Sequence, residues 1–217
     1  MKILAFDTTN NSMSAAILSE NKIIADKNIS QSGIQAEKLV PIIEECLKEA
    51  TIWYQDLDLL AITNGPGSFT GVRVGFSTAK AIELGAKTPS MGISSLYAIA
   101  YQYKNGIYDG KQYNKVFIVM DAKLDEFFIQ EFAIDQDKNK NILKPLFDPK
   151  IIACDQITNF LPQENFLLAG SAKLLVAKTL QNSEGLILSR ENDNIKASNI
   201  AFLAEELFKN GNYKLGF

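Results

Sequence analysis

The sequence predicts an α/β fold built from two similar lobes in tandem, and three observations carry that prediction. A strand meander followed by alternating helices and strands is written twice along the 217 residues. The first strand of each copy ends in an aspartate, Asp7 and Asp121. Between the copies, Tyr101 to Lys115 is polar, glycine-bearing and without periodicity, as a boundary should be. Each copy reads βββαβαβα, which gives a mixed sheet with helices on its faces. The lobes fall at residues 1–104 and 105–217, with the last helix free to pack back on the first lobe.

The elements follow in order. Residues 2–7, 13–19 and 22–29 read as strands, with Thr8-Thr9-Asn10-Asn11 supplying turn chemistry after the first. A helix over 34–50 gathers Ala36, Leu39, Val40, Ile43, Leu47 and Ala50 on one face. Pro41 inside it removes one backbone bond, so it either kinks the helix or marks its true first turn. Leu57–Thr63 is a buried strand, Asn64-Gly65-Pro66-Gly67 a turn, and 69–87 a second helix with Ser68 as N-cap. A strand at 90–94 and a helix at 95–103 close the first copy. In the second copy, strands are expected at 115–121, 127–134 and near 149–153, with a polar loop over 135–144. Helices at 155–161, 172–181 and 197–209 then alternate with strands at 166–169 and 186–189.

Composition narrows the chemistry. The apolar fraction of 47% excludes a disordered chain, and no run approaches the ~18 apolar residues of a membrane span. The start of the chain offers too short an apolar stretch for a secretory leader, so a cytoplasmic protein is expected. Cys46 and Cys154 match no paired metal or redox motif and read as inert thiols. A net charge of −3 with two arginines, Arg73 and Arg190, argues against a chain that grips nucleic acid alone. There is no histidine, which excludes every Ser-His or Cys-His nucleophile pair and every imidazole-based metal site.

Two features carry specific chemistry. Asp7 with Thr8 and Thr9, and Asp121 at the matching place, are candidates for a phosphate loop, although Asp also starts turns as a matter of course. The segment Asn64 to Gly75 (NGPGSFTGVRVG) fails as a P-loop, because no Gly-Lys-Ser/Thr follows at the required distance, and it fails as a dinucleotide fingerprint. What remains is a tight turn feeding a helix N-terminus. Gly71 and Gly75 lie inside that helix, where each costs about 1 kcal/mol relative to alanine. With Ala79 they leave one helix face nearly flat, either for packing on the chain's own sheet or for the close approach of a partner helix.

Two lobes each tipped by an acid resemble the duplicated ribonuclease-H-like architecture of the actin, Hsp70 and sugar-kinase superfamily. More specifically, MKILAFDTT at the start, Leu39-Val40-Pro41-Ile42, GPGSFTGVRVG and Val119-Met120-Asp121-Ala122-Lys123 resemble the TsaB (YeaZ) family. The likeness is dense over residues 1–125 and thin beyond. It implies a non-catalytic partner of a TsaD-like enzyme that places threonylcarbamoyl on the adenosine beside the anticodon of tRNA. TsaD carries a metal on two histidines, and the matching positions here are Ser95 and Ile99, neither of which can replace imidazole.

The resemblance further implies pairing through the first-lobe helices, with Leu39, Ile43, Gly71, Val72, Arg73, Gly75, Phe76 and Ala79 at the interface, and a TsaE-like ATPase near the junction. On that expectation, a bulky residue at Gly75 abolishes the complex and leaves the monomer folded. Arg73 is either an interface anchor or one half of a surface ion pair with Glu83 or a neighbouring acid. No intrinsic cofactor or metal is expected, only an adenine nucleotide at the interface of the complex. tRNA is reached indirectly and no membrane is involved. Gln35, Asn64 and Lys123 depart from the family pattern, which often has histidine, arginine and arginine there. Two readings stand beside this one: a small phosphotransferase or ATPase using Asp7 and Asp121 around Mg²⁺, and a homodimer using the same helix face, which would compete by mass action.

Overall fold

The structure, a computed structural model, describes residues 1–217 except 32, 138–139, 162–164, 181–184 and 217. The chain forms two compact units, Met1–Ala98 with Asn194–Phe217, and Ile99–Asp193.

In the first unit, β1 (Lys2–Asp7), β2 (Met13–Ser19) and β3 (Lys22–Ile29) form the meander, and α1 (Gln35–Ala50) follows. Then come β4 (Leu59–Thr63), α2 (Phe69–Ala86), β5 (Ser90–Ile93) and the start of α3 (Ser95–Tyr101), which belongs to this unit as far as Ala98. The sheet order is β3-β2-β1-β4-β5, antiparallel through the meander and parallel from β1 to β5. Leu4, Phe6, Ile17, Leu39, Ile43, Leu60 and Ile62 share one buried cluster. Pro41 faces outward within an unbroken α1, so the carbonyl it leaves unpaired is on the solvent side.

The second unit opens with a small hairpin, β6 (Ile107–Tyr108) and β7 (Lys111–Gln112), inside the stretch read as a bare boundary. It continues with β8 (Lys115–Lys123), β9 (Glu126–Asp137), β10 (Lys140–Pro145) and β11 (Lys150–Ala153). After a 3-10 helix at Cys154–Asn159 come β12 (Phe166–Ala169), α4 (Lys173–Thr179) and β13 (Leu186–Leu188). The sheet runs β10-β9-β8-β12-β13, the order of the first sheet repeated. The fold is therefore the duplicated ribonuclease-H-like, actin-like architecture.

Three expectations change. The polar loop over 135–144 is largely strand: residues 138–139 lie outside the described residues, but β10 pairs with the second half of β9 and β11 with the first half. Twelve residues of β9 are long enough to serve two short neighbours, and the lysines of β10 conceal the inward Leu143. The helix expected at 155–161 is a 3-10 helix over Cys154–Asn159, with Ile157 buried and Cys154, Phe160 and Leu161 packed against the same core. The last helix, α5 (Ala197–Lys209), packs back on the first unit, as the sequence left it free to do, and the bounds of the second unit are Ile99–Asp193 rather than 105–217. Ala197, Ile200, Ala201, Leu203 and Ala204 are buried on α5. Ser14 Oγ of β2 accepts from Ala197 N at 2.9 Å and donates to Ile195 O at 3.0 Å, capping the helix on that sheet.

Candidate functional site

The carboxyl ends of β1, β4 and β5 bring together Asp7, Thr63 and Ser95, the place where parallel α/β sheets hold ligands. Asp7 Oδ1 accepts from Thr9 N at 3.0 Å, Thr9 Oγ1 at 2.6 Å and Thr63 Oγ1 at 2.5 Å. Thr9 Oγ1 also lies 3.0 Å from Ser95 Oγ. The carboxylate is 0% exposed, and its Oδ2 has no hydrogen-bond partner among the described residues. Burial pushes the Asp7 carboxyl above the ordinary carboxylate range, outweighing the threonine hydrogen bonds that pull it down.

The glycine helix roofs this turn. Thr8 Oγ1 donates to Gly71 O at 2.7 Å, and Ser68 N donates to Thr9 O at 2.8 Å. A Cβ at Gly71 would stand 1.9 Å from Thr8 O, and one at Gly75 would stand 2.9 Å from Thr8 Oγ1. Only a helix without side chains at these positions can approach the β1 turn so closely. Ser68 is the N-cap as expected, accepting from Gly71 N at 3.2 Å.

This geometry shows where the residues expected at the interface lie on the first-lobe helices. Gly71, Gly75 and Ala79 are buried against the chain's own turn and core, and Leu39 and Ile43 are interior at 1% and 0% exposure. A bulky residue at Gly75 therefore strikes the fold before it reaches any partner. Of the expected set, Arg73 is exposed, while Val72 and Phe76 are half-buried. The Arg73 guanidinium sits 5.4 Å from the ring centre of Phe69, which is 76% exposed. Glu83 instead pairs with Lys80 at 2.9 Å.

Asp121, at the matching strand end of the second unit, differs. Lys123 N donates to its Oδ1 at 2.8 Å and Lys123 Nζ to its Oδ2 at 2.6 Å, with the Asp121 side chain 46% exposed. These bonds hold the carboxyl below its ordinary range. Of the other departures from the family pattern, Gln35 Nε2 donates to Asn10 O at 3.1 Å, tying α1 to the loop after β1. Asn64 N bonds Ile93 O at 2.9 Å.

The metal of the TsaD-like enzyme does not fit here. Ser95 Oγ is buried against Thr9, and Ile99 offers no donor atom. Among the described residues, no three acidic or cysteine side chains gather as metal ligands. Burial raises the Cys46 thiol to about 12, in keeping with an inert cysteine. No helix among the described residues is long and apolar enough to cross a membrane.

A second polar cluster is only faintly marked in the amino-acid pattern. In the second unit, Lys173 Nζ lies 2.5 Å from Asp193 Oδ2 and also donates to Glu191 O. Tyr103 OH donates to Asp193 Oδ1, and Gly170 N donates to Oδ2 at 2.8 Å. One signal was available: Lys173 stands three residues before Val176, the spacing of one helix face, and a lysine on a buried face needs a partner.

Comparison with known proteins shows the family and the fold. The sequence pattern of the family described as TsaD, tRNA N6-adenosine threonylcarbamoyltransferase, matches residues 25–178. The tRNA threonylcarbamoyladenosine biosynthesis protein TsaB of Escherichia coli (strain K12) is 28% identical over 151 residues, which is 67% of this chain and 63% of that protein. The chain thus spans a little under two thirds of that relative's length. The TsaB protein of Bacillus subtilis (strain 168) is 25% identical over 210 residues, 95% of this chain and 88% of that one. YeaZ from Pseudomonas aeruginosa superposes with a TM-score of 0.81 at 21% identity, over 98% of this chain and 94% of that chain, which establishes a shared fold.

Proposed function

This chain belongs to the TsaD family of tRNA N6-adenosine threonylcarbamoyltransferases, and from that premise we propose that it serves tRNA threonylcarbamoyladenosine biosynthesis as a non-catalytic partner. The observation that carries this reading is the enclosure of Asp7. An acid with one oxygen spent on three hydrogen bonds and the other sealed at 0% exposure has no open face for a nucleotide or substrate. Ser95 and Ile99 at the enzyme's histidine positions support the same reading. No observation favours the phosphotransferase or ATPase alternative.

The chain's role is then to pair with a TsaD-like catalytic paralogue, joined by a TsaE-like ATPase. The docking surface is the outer side of α2, where Phe69 and Arg73 form an exposed aromatic–cation pair beside half-buried Val72 and Phe76. Aromatic and arginine side chains are the residues that most often anchor interfaces. In isolation the same surface serves a homodimer, which the paralogue displaces by mass action. Any adenine nucleotide is held by the complex, and tRNA is contacted through the paralogue.

The test is size-exclusion chromatography with the organism's own TsaD-like protein, alongside a reconstituted modification assay run with and without this chain. Phe69→Asp with Arg73→Glu should keep the monomer's melting temperature and weaken the complex at least tenfold. Modified tRNA at full yield without this chain, or steady ATP turnover by the chain alone that Asp7→Asn abolishes, would sink the reading.

A further inference from the structure

We propose that the second unit carries a binding site for a neutral nucleobase, taken up as a free nucleoside, in a cavity at the amino ends of β8 and β12. The cavity holds about 390 Å³, within the range of small-ligand sites. Asn105, Gln112, Asn114 and Asn165 line it, together with Ile107 and Tyr113. The topology gathers these amides from separate stretches of chain. Lys115 of β8 pairs in register with Phe166 of β12, so Asn114 and Asn165, one residue earlier on each parallel strand, stand abreast. The β6–β7 hairpin brings Asn105 just before its first strand and Gln112 at the end of its second. Tyr113 N donates to Gly106 O at 2.9 Å, and these two residues are buried while the four amide residues are exposed. Asn165 is backed by bare chain: Phe166 N donates to Gly185 O at 3.0 Å, and a Cβ at Gly185 would stand 2.8 Å from Asn165 Oδ1. β8 runs from this end to Asp121, so the cavity and that acid lie at opposite ends of one strand.

The wall decides the chemistry of the ligand. Among the described residues, none that lines the cavity is charged, so a phosphate, carboxylate or ammonium would lose water there without gaining a counter-charge. Each primary amide presents an acceptor oxygen and a two-proton donor in one plane. A ligand that answers several of them carries donors and acceptors side by side along a flat edge, as a nucleobase does. Adenine suits the wall best, because asparagine and glutamine bridge its N6 and N7, whereas the paired acceptors of guanine call for arginine or lysine. Ile107, 58% exposed, offers apolar surface to the face of the ring. An RNA backbone finds no basic side chain in this wall to neutralise its phosphates, which favours the free nucleoside as the source of the base.

The probe is adenosine, titrated against the full chain by calorimetry and by nuclear magnetic resonance. Wild type should bind it with shifts in the backbone amide signals of Gly106 and Asn165, and should bind AMP no more tightly, since the wall holds no cation for the phosphate. Guanosine and glucose should bind at least tenfold more weakly. Gln112→Leu and Asn165→Leu should each weaken adenosine at least tenfold and keep the melting temperature, because both residues are exposed. Phe69→Asp with Arg73→Glu should leave adenosine affinity unchanged, so the cavity and the docking surface on α2 are judged separately. The site is overturned by an absence of adenosine binding at millimolar concentration, by shifts that spare Gly106 and Asn165, by leucine variants that bind as wild type does, or by equal affinity for glucose. AMP or tRNA bound far more tightly than adenosine would overturn the free nucleoside as occupant.

Discussion

The first unit buries the aspartate that ends its leading strand, and the second leaves the equivalent aspartate half in water. Asp7 is enclosed by threonine and serine hydroxyls with no cation among its hydrogen-bond partners. Asp121 is met by the flexible Lys123 at the surface. The second unit buries a different acid, Asp193, and gives it a lysine, two hydroxyls and a backbone N–H. Duplication thus preserved strand order and the position of the acid, while each lobe chose its own way to keep a polar interior. One interior is a hydroxyl network around an acid whose carboxyl burial pushes up, and the other is an ion pair. The two should respond to substitution in opposite ways.

The ion pair offers the sharpest break. Lys173→Met leaves Asp193 buried without its cation, and removing one partner of a buried pair costs about 3–5 kcal/mol. Tyr103 cannot compensate, because burial and its bond to Asp193 hold the phenol well above its ordinary range as a neutral donor. Adding Asp193→Asn to Lys173→Met should return much of the loss. Urea denaturation of the single and double variants measures this, and a single-variant cost below about 1 kcal/mol would show the lysine to be solvated.

The first unit is less exposed to loss of charge and more to loss of space. Gly71→Ala forces a Cβ onto Thr8 O and parts Thr8 Oγ1 from Gly71 O, which should cost about 3 kcal/mol as overpacking with a broken hydrogen bond. Thermal unfolding would register this as a lowered midpoint of the first unit. A neutral result would mean that α2 can lift from the turn, reopening its small-residue face to a partner.

That glycine row shows what a sequence can and cannot disclose. Spacing identified a flat helix face, but spacing is blind to which neighbour lies across it. The long strand pattern of β1, β2 and β8 was legible because buried strands declare themselves in continuous apolar runs. β10 was hidden by its lysines, whereas the β8–β9 hairpin was legible from its two apolar strands although its turn holds leucine where asparagine or glycine is usual. Asp7 and Asp121 were both found by position, and each meets a partner two residues on, but Asp7 is also bonded by Thr63, 56 residues away. Local patterns foresee the second kind of contact more readily than the first.

The smallest expected effect tests the comparison by its sign with pH. The folded-state carboxyl of Asp7 is raised above the ordinary 3.8, so the native state holds a proton that the unfolded chain releases. Its contribution therefore favours folding at low pH and declines as pH rises from 3.8 toward the raised value. Asp121 is lowered, so its contribution is present above 3.8 and lost as pH falls below it. Asp7→Asn retains an oxygen for the three donors and should remove the first slope, leaving stability at neutral pH equal to or above wild type. Asp121→Asn should remove the second slope and lower neutral-pH stability slightly, by less in high salt because the Lys123 pair is exposed. Both follow from urea midpoints collected between pH 3 and 8. Slopes of the same sign in the two variants would mean that Asp7 is ionised inside the fold, and the contrast between the lobes would collapse into one of exposure alone.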